Sequence, residues 1–219
     1  MVPTLVNVAF GALIAAALLG AAFDRRAVAV VVFAAALPSA DAAASLVVEG
    51  ATNGLLHNVF VPLLLAVAIY WDTAHREESW VRSRYGWRGV RVAWVALASF
   101  VVAGIGADLF GEHGAALFFP VYDEFYRVSG RLVLSTQEGV VQTYVEFGNG
   151  LLAIESLGGP DEHHVASWIN PTPGTEVPAD AERTFRIVDE GWQAVVVVAA
   201  AATLTVRFWE TERVREGAE

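Results

Sequence analysis

The chain has 219 residues, is 55% hydrophobic and has a mean hydropathy of +0.48, which excludes an ordinary soluble domain and fits a small polytopic membrane protein. Its net charge of −10 and pI of about 4.9 argue against nucleic acid as a partner. Cysteine is absent, so disulfides and thiolate metal sites are excluded, and any metal ligand must be His, Asp, Glu or backbone.

Every basic side chain is Arg. An acidic, lysine-free composition is what an extremely halophilic archaeon produces, because excess negative charge keeps a protein soluble where salt screens repulsion. GC-rich coding replaces Lys by Arg as well, and the two readings are compatible.

Residues 3–23 are long enough to span a bilayer, and no basic stretch precedes them, so a cleaved signal peptide is not expected. Residues 27–48 form a second apolar run, where Pro38 predicts a kink or break. The third run is 54–71, ending in Tyr70 and Trp71. Residues 72–91 read as a polar loop whose Arg82, Arg84, Arg88 and Arg91, with Trp80, Tyr85 and Trp87, suit anionic headgroups. The fourth run is 92–110, a long polar stretch fills 111–190, and the fifth run is 192–209.

These runs predict an all-α polytopic membrane protein of about five transmembrane helices. Residues 1–126 form its core, 127–190 an acidic extracytoplasmic segment, and 191–219 the last helix and a cytoplasmic tail. Arg clusters in the loops at 24–26 and 72–91 and in the tail, while 111–190 is strongly acidic. The bias toward basic cytoplasmic loops then puts the N-terminus outside and the C-terminus inside. Within the outer segment, 115–126 reads as an interfacial piece. Residues 128–147 read as a helix or as a hairpin turning near Gln137-Glu138-Gly139, with helix preferred.

Three ionisable residues lie inside apolar runs: Asp41, His57 and Asp108. At 1.5 Å per residue, Asp41 lies about 21 Å up the second span and Asp108 about 25 Å up the fourth. His57 falls in the first turn of the third. All three reach the outer third of a core about 30 Å thick. Embedded ionisable groups are costly and usually face an interior or a cavity. Carboxylates and imidazole at one depth could ligate a divalent metal such as Zn with an open position for water; a metal-free polar cluster tying three helices together is equally consistent. Glu112 lies one helical turn past Asp108 with His113 beside it, so both are candidate catalytic proton relays. Asp161-Glu162-His163-His164 reads as a solvated run in a Gly/Pro-rich loop.

Leu37-Pro38-Ser39-Ala40-Asp41, then Thr52 to Asn58, then Gly104 to Asp108, then Phe118-Phe119-Pro120 resemble the membrane-bound metal-dependent hydrolases of the YdjM-like family, over roughly residues 1–126. The resemblance implies a hydrolase at the outer membrane face, acting on a phosphoester or lipid-like substrate, with metal on Asp41, His57 and Asp108. The chain departs from that pattern: Ser39, Thr52 and Gly104 stand where the family has Asp, His and His. Glu49, Glu112 or His113 would have to substitute, or the activity is lost and the fold kept as a membrane scaffold. A transporter is the remaining reading, and no inverted repeat supports it.

Overall fold

A computed structural model describes residues 1–48, 50–128, 132–137, 139–142, 154–159, 162–173, 175, 178 and 180–216. The fold is mostly helical. Among the described residues three stretches are long and apolar enough to cross a membrane: Arg25–Ala44, Trp80–Leu109 and Gly191–Arg213. Two shorter apolar helices, Thr4–Leu18 and Phe60–His75, accompany them.

Helix α1 (Thr4–Leu18) presents a face of small residues, with Ala9, Ala12 and Ala15 buried. Small residues let helix backbones approach closely, which is how helices associate where the solvent is as apolar as the side chains. Helix α2 (Arg25–Ala36) starts at Asp24, whose carboxylate accepts the Ala27 amide at 2.8 Å, the usual way an exposed helix N-terminus is capped. Leu19, Phe23, Val31 and Val95 form the main buried cluster, with Phe208 packed against it.

The kink or break expected at Pro38 takes the form of a change of pitch. Helix α2 tightens into a 3-10 turn, Leu37–Ala40, and resumes as α3, Asp41–Ala44. Pro38 sits at the start of the tightened turn, where a missing N–H and a fixed φ cost little.

The third run differs more. Helix α4 spans Phe60–Tyr70 and continues as a π-helical turn, Trp71–His75. It begins later than expected, because Asn58 Oδ1 accepts the amides of Phe60 and Val61 at 2.9 and 3.0 Å and so starts the helix there. Residues 51–59 are turns, and His57 lies in them rather than in a helix.

Helix α5 (Trp80–Ser99) starts inside the stretch expected to be a polar loop, with the Ser79 hydroxyl capping Arg82 N–H at 3.1 Å. It bends at Gly86, whose φ of 63° departs from helical geometry. It then passes into a π-helical stretch, Phe100–Gly106, and a last turn, α6 (Ala107–Leu109).

The preferred helix over 128–147 is overturned at 132–135 and 139–142, while 129–131, 138 and 143–147 lie outside the described residues. Strands β2 (Leu132–Ser135) and β3 (Gly139–Gln142) form an antiparallel hairpin with Ser135 opposite Gly139. The β-branched and large apolar residues of these two short runs suit a strand better than a helix. A second pair joins β1 (Tyr126–Val128) to β4 (Ile154–Ser156). Ala116, Phe119, Phe125 and Val165 make a small separate core in this layer. Helix α7 (Gly191–Glu216) packs along α1 through Ala200. Its Val195 and Val198 are each 68% exposed, an apolar face suited to lipid.

Candidate functional site: a buried carboxylate–imidazole–carboxylate cluster

Asp41, His57 and Asp108 meet. Asp41 opens α3, His57 sits in the turn before α4, and Asp108 lies in α6. His57 Nδ1 is 2.7 Å from Asp41 Oδ2, and His57 Nε2 is 3.1 Å from Asp108 Oδ2. The three side chains are no more than 1% exposed. Each ring nitrogen faces one carboxylate. A neutral imidazole donates from one nitrogen only, so either His57 carries both protons or one carboxyl keeps its own.

Local irregularities aim these groups. The 3-10 turn after Pro38 and the π-helical stretch before Ala107 both change the angular step per residue, and so decide which way Asp41 and Asp108 face. Gly104 lets the two segments touch: a Cβ there would lie 2.6 Å from Pro38 Cγ and 3.2 Å from the Ala35 carbonyl oxygen.

A further participant is Asn53, which is fully buried with φ at 56°, a left-handed conformation Asn tolerates better than most residues. Its Nδ2 donates to Asp108 Oδ1 at 3.3 Å and to the Gly114 carbonyl at 2.8 Å. The Val2 amide donates to Asp108 Oδ1 as well. Asn53 O accepts the Ala116 amide at 2.8 Å, and the Val59 amide donates to Leu117 O at 2.8 Å. The turn carrying His57 is thereby sewn to residues 114–117, which roof the cluster. Asn53 could have been suspected from its place beside Gly54 in a turn; its contact with Asp108 leaves no sequence signal.

The residues present do not fit a three-ligand metal centre. Asp41 and Asp108 take opposite nitrogens of one ring, so one ion cannot be held by all three side chains. Among the described residues no group of three or more His, Asp or Glu is placed to hold a metal. Ser39 Oγ and Thr52 Oγ1, at two of the positions where the YdjM-like pattern has ligands, are buried hydroxyls without a protein hydrogen bond, and they bring no charge. At the third, Gly104, the approach of Pro38 leaves no room for His. Glu49 lies outside the described residues.

Glu112 and His113 stand apart from the three. They line a cleft of about 770 Å³ with Phe10, Val101, Phe110 and Trp192, and residues 1–2 separate it from the cluster. Glu112 is exposed and His113 half-buried. Burial, with the positive charge of Arg186 adding, lowers the His113 pKa to about 4. The run expected to be solvated is partly engaged: His163 Nε2 donates to the His113 carbonyl at 3.0 Å, and its ring packs 5.1 Å from Phe125. His164 is exposed, and Asp161 lies outside the described residues.

No family model, curated protein or solved structure matches the chain. The likeness to the YdjM-like hydrolases therefore rests on the residues themselves.

Proposed function

We propose that this chain is an integral membrane protein of five spans, a motif-degenerate relative of the YdjM-like hydrolases. Its embedded ionisable cluster is a structural lock rather than a metal centre. The two shorter helices, α1 and α4 with its π turn, join the three long ones as spans, with the N-terminus outside and the C-terminus in the cytoplasm. The protein then acts as a scaffold or binding protein through its outer segment.

One observation carries this reading: both nitrogens of His57 are taken by carboxylates within a solvent-excluded site. A water to be activated and a substrate both need access, and here a roof excludes them. An ion-bonded knot between three segments supplies orientation specificity inside an apolar bundle. The test is metal content by mass spectrometry on purified wild type and Asp108→Ala, with thermal unfolding of both. The expected result is no stoichiometric transition metal in either protein and a lower unfolding temperature for the variant. A stoichiometric metal that the variant loses would overturn the reading.

The cleft at Glu112 and His113 favours a second reading, a hydrolase of lipid-like phosphoesters. Its apolar walls beside a polar rim suit an amphipathic substrate, and His113, uncharged at pH 7 and a weak base, would serve there as a hydrogen-bond partner. Hydrolysis of a short-chain lipid phosphoester that is lost in both Glu112→Gln and His113→Gln, at unchanged unfolding temperature, would favour it over the scaffold.

A further inference from the structure

At the end of the bundle away from the cluster, α2 and the first half of α5 leave a groove of about 530 Å³. Its walls are apolar, with Val30 and Ala27 from α2 and Val81, Val92 and Ala93 from α5. Val30 is 49% exposed. Trp80 and Tyr85 stand along one side and Asp24, Arg26 and Arg88 at the mouth.

The charges at the mouth are unequal. Asp24 has spent both oxygens, one on the Ala27 amide and one on Arg88 Nη2 at 2.8 Å. A guanidinium has five donors, and only Nη2 of Arg88 is used in that pair. Arg26 makes no ion pair among the described residues. Arg82, Arg84 and Arg91 on the same helix add positive charge to this end. The mouth is therefore an anion site with donors to spare, above a channel of aliphatic side chains.

The bend at Gly86 makes this geometry. It redirects the turn carrying Trp80, Val81 and Tyr85 relative to the length carrying Val92 and Ala93, so one helix supplies two walls. The groove lies at the shared end of two of the three helices able to cross a membrane, which is where spanning helices meet headgroups and where Trp, Tyr and Arg collect.

We propose that this groove binds one anionic phospholipid, with its phosphate on Arg26 and Arg88 and the start of an acyl chain along Val30, Val92 and Ala93. The proposal rests on α2 and α5 crossing a membrane. It is independent of whether the distant cluster is a lock or a metal site, so the metal measurement and the lipid measurement can fail separately.

The test uses the full chain in detergent, at the lowest salt that keeps it folded, with phosphatidylglycerol, phosphatidylcholine and inorganic phosphate as probes. Native mass spectrometry reads bound lipid, and thermal unfolding reads stabilisation. Phosphatidylglycerol is expected to be retained at one copy and to raise the unfolding temperature by more than phosphatidylcholine does. Arg26→Gln breaks no ion pair and is expected to weaken that binding about fivefold, the value of one basic residue at an anionic surface. Ala93→Phe fills the channel without touching charge and is expected to remove the retained copy. Equal behaviour of the two lipids would overturn the proposal, as would wild-type retention in both variants. A full shift from inorganic phosphate alone would also overturn it, making the site one for a free anion.

Discussion

The two ends of the α2–α5 pair handle charge in opposite ways. At one end Asp41, His57 and Asp108 are buried and directed at one another. At the other, Asp24, Arg26 and Arg88 lie at the surface with donors left over. Buried charges are held by mutual pairing, so losing one member strands the rest. Exposed charges remain solvated and screened, so each matters little to folding. The same residue types therefore hold the fold together at one end and offer themselves to the surroundings at the other.

The sharpest way to break this contrast is His57→Ala, which leaves two carboxyls buried without their shared partner. Unfolding in detergent is expected to show a loss of about 3–5 kcal/mol, the range for breaking a buried ion pair. A loss below that of the exposed variants would mean the cluster is not what orders this end. Next in size is Gly104→Ala, which puts a Cβ against Pro38 Cγ at 2.6 Å and is expected to cost about 1–3 kcal/mol by overpacking. Wild-type stability there would show that the two segments can part freely.

At the arginine end, Asp24→Ala removes the cap of α2 and is expected to cost about 1 kcal/mol, while Asp24→Asn keeps the cap and costs a few tenths. A large loss in the Asn variant would mean that the ion pair to Arg88, not the cap, carries the site. Acid weakening is read separately, along pH rather than by substitution. The His113 pKa is lowered from 6.5 to about 4, so the unfolded chain binds a proton in that window that the folded chain does not. Stability is complete above pH 6.5 and falls as the pH drops toward 4, and His113→Gln flattens the fall. Asp24, held below the usual carboxylate range by the Ala27 amide above all, adds a loss only below about pH 4. A His113 ring titrating near 6.5 by NMR would remove the first part.

Helical rise made much of the cluster legible beforehand. Counting residues from each end of an apolar run gives height, and height alone puts Asp41, His57 and Asp108 at one level. It does not give rotation. Which carboxylate takes which ring nitrogen depends on the 3-10 turn at Leu37–Ala40 and the π stretch at Phe100–Gly106, and neither has a periodic signature. Equal height is compatible with side chains around an ion and with side chains around a ring, and the arrangement here is the second.

Other differences have local causes. Asn58 started α4 late and moved His57 into a turn, although a capping Asn before an apolar run is a readable signal. The hairpin of 132–135 and 139–142 is legible in its β-branched residues and in the turn residues between its strands, but so short a pattern competes with the helical character of the remainder. Asn7, a lone amide in the first apolar run, is fully buried, a placement that an embedded polar residue signals in the sequence by itself.

The π stretch carries a consequence for descent. A helix that widens its turns has absorbed residues without losing its neighbours, which is how an insertion survives inside a packed span. Closing the same residues into an α-helix would turn everything after Gly106 by about 100° and swing Asp108 off the imidazole, with no amino acid in the cluster changed. Among relatives, a one-residue gap in this stretch should therefore go with an ordinary α-helix that still aims the aspartate, whereas the full length should go with the widened turns.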